Sequence, residues 1–298
     1  MMSAATRTQV EAFFDRTSCA VTYVVVEPDG HRCAVIDPVL DFDSRSGIVA
    51  LDSLQRVVAW VRERSLNVQW ILETHPHGDH LSGAFQLKQM LGGRIGIGRG
   101  ITAVRRTMRD MFNLGIDFPC DGTHFDHLFD DGDALALGGM TGRVLATPGH
   151  TPACVTYVFD DAAFAGDTLF MPDVGSARCN FPGGDAATLY RSIRRVLSLP
   201  PNTRLFTGHD YAPGSRTTAW ESTVTLQRAR NIHVNDGVGE AEFVALRTAR
   251  DKTLAAPALM LPALQVNIRG GRLPPPESNG VSYLKLPIQL NRTAKVNA

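Results

Sequence analysis

The apolar residues of the chain change their period several times, and each change marks an element. Ala20–Glu27 is dense in valine with one aromatic residue, and Arg32–Ile36 follows after Pro28-Asp29-Gly30, which predicts two short strands joined by a turn. Asp37-Pro38 ends the second strand. Apolar residues then fall at Leu51, Leu54, Val57, Val58 and Val61, the spacing of one helix face, so a helix is predicted over Leu51–Arg64. Val68–Leu72 reads as a strand that runs directly into Glu73-Thr74-His75. Further helices are predicted over Gly83–Leu91, stopped by Gly92-Gly93, and over Ile101–Phe112.

The middle of the chain is more strand-like. Ala134–Leu137, Gly142–Ala146, Val155–Phe159 and Ala162–Ala165 are short apolar runs separated by Gly, Pro and Asp turns. A helix over Asp185–Leu199 is stopped by Pro200-Pro201, and a strand over Arg204–Thr207 leads into Gly208-His209. Helices are predicted at Trp220–His233 and Glu240–Leu254, and an irregular, Pro-rich tail from Pro257. Strands and helices alternate without a low-complexity linker, so the expectation is one α/β domain of two sheets flanked by helices. Residues 1–19 are read as an N-terminal segment, 20–235 as the domain, and 236–298 as a C-terminal helix and extension packed on it. The apolar, Pro-broken runs Pro257–Leu264 and Ser282–Leu290 are expected to cap the core or to join an interface in a homodimer or higher homo-oligomer.

Composition narrows the function classes. Among 298 residues, 30 Lys+Arg balance 30 Asp+Glu, and no basic block stands out, which argues against a partner that is a nucleic acid. No apolar run is long enough to span a bilayer, so no membrane partner is expected. A chain of this length buries enough surface to fold without disulfides. Its five cysteines are odd in number, scattered and form no CxxC pair, which suits a reducing cytoplasm. The first residues have no signal-peptide core, and Glu11 and Asp15 weaken a mitochondrial transit reading. A cytoplasmic protein is expected.

The histidines are uneven. Nine are present, and His75, His77 and His80 fall within six residues, in Thr74-His75-Pro76-His77-Gly78-Asp79-His80 at a strand-to-helix junction. An extended path turns His75 and His77 the same way. Pro76 suits a strand edge, and Gly78 is expected to let the chain turn so that Asp79 and His80 return to the same cavity. Four metal-competent side chains at one junction point to a metal site. Thr147-Pro148-Gly149-His150, Gly166-Asp167 and Gly208-His209 then place one further ligand type at each of three later strand ends.

This ordered set, H-x-H-x-D-H followed by a Gly-His, a Gly-Asp and a Gly-His turn, resembles the metallo-β-lactamase superfamily. The resemblance implies an αββα sandwich with a C-terminal helical extension and a metal site at one edge of its two sheets. Two chemistries within that family fit the residues. In a dinuclear zinc hydrolase of glyoxalase II type, His75, His77 and His150 hold one metal and Asp79, His80 and His209 a second. Asp167 bridges them, and a thioester or lactone is cleaved. In an oxygenase, His75, His150 and Asp167 hold one Fe(II) per chain, and His77, Asp79, His80 and His209 stand behind them.

The downstream segments tip the balance. Gly166-Asp167-Thr168-Leu169-Phe170, Ala177-Arg178-Cys179-Asn180-Phe181-Pro182-Gly183-Gly184, Leu189-Tyr190-Arg191-Ser192-Ile193 and Gly208-His209-Asp210-Tyr211 are similar to the persulfide (sulfur) dioxygenase branch. They look closest to bacterial β-lactamase-hydrolase-like proteins linked to sulfide detoxification. Asn267-Ile268-Arg269 resembles a late Asn-x-Arg element of that branch. The resemblance implies oxidation of glutathione persulfide, or a related low-molecular-weight persulfide, with O2 to sulfite and free thiol. Iron is the implied cofactor, with zinc able to occupy the same ligands. Arg178, Tyr211 and Arg269 become the expected substrate-side residues, since an arginine grips a carboxylate with two bonds. Asp173 adds negative charge to the loop after Asp167, and Gly78 stands where many relatives carry alanine.

The remaining histidines are read as incidental: His31 as exposed, His124 and His127 as part of a loop, and His233 as a helix-ending cation. Arg191, Arg194 and Arg195 are read as a solvated basic face, and Cys179 as a thiol near the site.

Overall fold

A computed structural model describes residues 7–214 and 216–288. The first half of the chain forms β1 (Gln9–Phe14), β2 (Val21–Val26), β3 (Arg32–Ile36), β4 (Val39–Asp43), β5 (Ile48–Ala50) and α1 (Asp52–Glu63). It continues with β6 (Asn67–Leu72), β7 (Leu81–Ser82), α2 (Ala84–Leu91), β8 (Arg94–Gly98), α3 (Ile101–Met111) and β9 (His127–Phe129). The second half forms β10 (Ala134–Leu137), β11 (Met140–Ala146), β12 (Val155–Phe159), β13 (Ala162–Gly166), α4 (Ala186–Val196) and β14 (Arg204–Thr207). It ends with β15 (Glu221–Thr223), α5 (Val224–Arg230), α6 (Glu240–Asp251) and α7 (Met260–Asn267).

Two six-stranded sheets, β1-β2-β3-β6-β8-β9 and β10-β11-β12-β13-β14-β15, lie face to face, and a small β5-β4-β7 sheet sits beside them. Tyr23, Ile36, Trp70 and Leu72 of the first sheet pack with Val144, Tyr157, Phe164 and Phe206 of the second. The outer face of the first sheet is covered by α1, α2, α3 and α7, whose Leu54, Leu87, Val104 and Val266 join Val24, Val35 and Ile71. The outer face of the second is covered by α4 and α6 through Leu189, Ile193 and Phe243. Every residue of β2 is buried because helices lie on one side of its sheet and the second sheet on the other. The αββα sandwich is the expected fold class.

Several local readings change. β1 occupies the stretch read as preceding the domain, where Val10, Ala12 and Phe14 turn toward the inter-sheet core and Phe13 toward the helices. β8 was invisible because glycine is a poor strand former. Gly96 is used for its lack of a side chain, since a Cβ there would stand 2.5 Å from the Phe129 ring. His127 belongs to β9, which pairs parallel with β8, rather than to a loop. The helix predicted over Trp220–His233 is a strand and a shorter helix, with Thr223 accepting from the Leu226 amide as N-cap. The tail is helical from Met260, because Pro262 lies in the first turn, where no intrahelical donor is lost. Gln289 and the residues after it lie outside the described residues. Among the described helices, none is long and apolar enough to cross a membrane.

Candidate metal centre

Parallel pairing gathers the site. β13 runs parallel to β14, and β11 is antiparallel to β12, which is antiparallel to β13, so β11, β13 and β14 end at one edge. Their following turns carry His150, Asp167 and His209. The two sheets join at that edge, where Ala20 bridges His209 and the Val21 amide donates to the Gly208 carbonyl, at 2.9 Å. The segment after β6 supplies His75, His77, Asp79 and His80. Gly166, in the left-handed region, and Gly208 permit this approach: a Cβ on the first would stand 2.3 Å from Thr74 Oγ1, and on the second 2.6 Å from Asp167 Oδ1.

The residues fall into two adjoining groups, His75-His150-Asp167 and His77-Asp79-His80-His209, each with ligand-type atoms within 4.8 Å of one another. In the first, Asp167 Oδ2 is 3.8 Å from both His75 Nε2 and His150 Nε2. His150 Nδ1 donates to the Arg178 carbonyl at 2.6 Å, which leaves Nε2 as a lone pair turned to the site. His75 Nδ1 lies 3.0 Å from Thr74 Oγ1. Burial, followed by the neighbouring His77, keeps His75 well below the usual histidine range, as a neutral ligand requires.

In the second group His209 is bonded on both sides. Nδ1 meets Asp167 Oδ1 and Nε2 meets Asp79 Oδ2, each at 2.6 Å. Burial alone would lower its pKa, yet Asp167 and Asp79 raise it well above the ordinary value, and the ring is clamped between the two carboxylates. Burial opposes ionisation of Asp167, but His209 and then His75 and His150 hold its carboxyl well below the usual range.

The donor set fits a metal cation. His75 Nε2, His80 Nε2 and both nitrogens of His77 are buried without a hydrogen-bond partner, a costly state for aimed lone pairs that a cation would relieve. His77 Nε2 approaches Asp37 Oδ1 at 3.1 Å, close enough for charge pairing but not aligned as a hydrogen bond. Sequence reasoning missed this backing. Asp37, read only as a strand end, accepts from the Thr74 amide and hydroxyl, each at 2.7 Å. Glu73 accepts from Ser82 Oγ, and burial and then Asp37 push its pKa well up. Asn267 was also missed in this role. Its amide donates to the carbonyls of His77, at 2.8 Å, and His80, at 2.9 Å, and its oxygen accepts from the Ser82 amide.

A cavity of about 1040 Å³ opens beside Asp79, His150 and Asp167 and is walled by Phe170 and Phe181. Tyr211 lines it and stacks on His209, rings 3° from parallel. Arg178 also lines it, but its guanidinium is occupied by Asn180 Oδ1 and the carbonyls of Leu254 and Ala255. Arg269 is elsewhere, in a second pocket with Phe118 and His124. The charge of Asp173 is met by Arg216, which also grips Asp210. Cys179 is buried, bonded through N and Sγ to Asp251; burial, then Asp251, pushes its thiol up to about 12.

Of the residues read as incidental, His31 is exposed as expected. His233 is no cation: it is buried, accepts from the Ser176 amide at 3.0 Å, and burial with Arg247 lowers its pKa to about 4. Arg191 and Arg195 are exposed and Arg194 half-buried, and all three are paired, with Glu240, Asp131 and Asp236 respectively.

The family model described as the metallo-β-lactamase superfamily matches residues 16–209. A probable metallo-hydrolase of Burkholderia pseudomallei is 53% identical over 94% of this chain and 98% of its own. A β-lactamase hydrolase-like protein of Xylella fastidiosa is 52% identical over 94% of this chain, which spans 64% of that protein's length. The mitochondrial persulfide dioxygenase ETHE1 of Bos taurus is 28% identical over 85% of this chain and 87% of its own. The solved structure of ETHE1 from Myxococcus xanthus shares the fold, with a TM-score of 0.71, 24% identity, and 89% of this chain and 100% of that chain covered. On the ordered ligand set, the sandwich that brings it together and these matches, the chain belongs to the metallo-β-lactamase superfamily.

Proposed function

We propose that the protein is a non-haem iron persulfide dioxygenase. It oxidises glutathione persulfide, or a related low-molecular-weight persulfide, with O2 and water to sulfite and free thiol. One observation carries the choice: both nitrogens of His209 are spent on carboxylates, at 2.6 Å each, so it braces Asp79 and Asp167 instead of offering a lone pair. His75, His150 and Asp167 are then a group of two histidines and one carboxylate whose donor atoms meet, the set that suits Fe(II) with open positions. When bound, the iron supplies the redox chemistry that side chains lack.

The chain's own residues bind and orient. The Arg178 carbonyl fixes the tautomer of His150, and His209 holds both Asp167 and Asp79 in place. Phe170 and Phe181 give the reacting sulfur an apolar wall, and about 1040 Å³ suffices for a tripeptide-sized thiol. Arg45 and Arg250 line the same cavity and are the cations available to substrate carboxylates. Arg178 ties the 254–255 segment to the rim, so its contribution to binding is the shape of the mouth.

The 28% identity to the bovine persulfide dioxygenase supports this reading. A dinuclear zinc thioester hydrolase is the second reading, favoured by the four-residue group His77-Asp79-His80-His209 and by the metallo-hydrolase name of the Burkholderia relative. Oxygen-electrode assays on glutathione persulfide separate the two. The expected result is one O2 consumed per sulfite formed, and thioester turnover without oxygen uptake would overturn the proposal.

A further inference from the structure

The second pocket, of about 700 Å³, lies away from the metal centre and is lined by Phe118, His124, Arg269 and Arg272. Arg105 stands behind its wall. This guanidinium is 0% exposed, and its Nε and Nη1 have no hydrogen-bond partner. Its Nη2 donates to His124 Nδ1 at 2.6 Å, and its charge lies over the Phe118 ring at 5.0 Å, so it abuts two rings of the pocket wall. Arg269 lies over the same Phe118 ring at 4.9 Å and donates to the Gln265 carbonyl. Arg272 donates to the His124 carbonyl at 2.6 Å.

Three guanidiniums thus gather on neutral acceptors. Among the described residues no carboxylate forms an ion pair with them, although Asp121 acts on Arg105, and Asp126, held by Lys88, acts on Arg272 at longer range. Asp117 is at the exposed rim, and Asp121 is exposed and accepts from the Thr123 amide at 3.0 Å. A buried arginine without a counter-charge is costly, and a methionine would pack against Phe118 without that cost. The surroundings register the crowding: burial, followed by Arg105, lowers Arg269 to about 10, and burial with Arg105, Arg272 and Arg269 lowers His124 to about 4.

We infer that this pocket is a binding site for a small tetrahedral oxyanion of the phosphate class, held by the buried Arg269 and the partly exposed Arg272 that line it and by the field of Arg105 behind them. Forked donors arriving from several sides match an anion with several charged oxygens better than a single carboxylate. Free phosphate and a phosphate monoester share that chemistry. The inference is independent of the reaction at the metal centre.

The test is equilibrium dialysis of the full-length, metal-loaded protein against radiolabelled inorganic phosphate at fixed ionic strength. One saturable phosphate per chain is expected. Arg272→Gln should weaken it roughly 10- to 100-fold, the loss of one charged hydrogen bond, and Arg105→Met should weaken it less, through the lost field alone, with metal content unchanged. Arg272 is partly exposed, so its variant keeps the test decisive if the Arg105 variant fails to fold. Competition by glycerol phosphate would identify the site as one for esters, and its failure would identify it as one for the free ion. Absence of saturable binding, or binding undiminished in Arg272→Gln, would overturn the inference.

Discussion

The two faces of the metal centre use the same residue types to opposite ends. Around His75, His150 and Asp167 the rear atoms are tied to the protein and the front atoms are free: His150 Nδ1 is on a carbonyl and its Nε2 faces Asp167 Oδ2 at 3.8 Å. In the other group, His209 has no front, because both nitrogens are 2.6 Å from carboxylate oxygens. A histidine is a ligand only when its second nitrogen is satisfied and its first is not. Counting ligand-type residues therefore does not by itself give the number of metals, since His80 of the second group keeps a free Nε2 behind an Nδ1 that meets the Leu81 carbonyl.

The sharpest way to break the comparison is to substitute each face in turn. His150→Ala should reduce bound metal to below about a tenth of the wild-type value, because a ligand of the closing group is lost, and abolish turnover. Elemental analysis after anaerobic loading reads this. His209→Ala should retain metal, with affinity reduced about 10- to 100-fold, the usual effect of losing a residue that orients ligands. Titration against a competing chelator measures it, and loss as complete as in His150→Ala would equate the two faces.

Smaller effects sharpen the second face. Asn267→Ala removes three hydrogen bonds that hold the His77–Ser82 backbone and should cost about 2 to 3 kcal/mol in denaturant unfolding. Gly78→Ala should change stability by less than about 0.5 kcal/mol. A Cβ at Gly78 would meet Met260 at 3.7 Å and Phe181 at 3.8 Å, ordinary contacts, and its φ is not in the left-handed region. The turn that returns Asp79 and His80 to the site therefore does not depend on glycine, contrary to the sequence reading.

Most of the sandwich was legible because its strands are short apolar runs closed by turn residues, as in Val155–Phe159 and Arg204–Thr207. What escaped was structure made by residues used against their local preference. β8 is built on glycines that admit neighbouring groups, and α7 begins with a proline in its first turn. At the site, the ligand types and their order were readable from His75 to His209. Which nitrogen each histidine spends was not, because that depends on partners distant in sequence, such as Arg178 for His150 and Asp79 for His209. The substrate-side arginines show the limit of a motif. Arg178 and Arg269 match a motif, but a motif does not reveal that one is spent on backbone carbonyls and the other lies in a different pocket.

The central claim is a mononuclear iron centre braced by a histidine that does not ligate. The measurement that bears on it most directly is metal stoichiometry by mass spectrometry on protein loaded anaerobically with excess Fe(II) and freed of unbound ion. The account predicts one iron per chain in the wild type and still one in His209→Ala at saturating iron. Two tightly held metals per chain in the wild type, falling to one in His209→Ala, would contradict it.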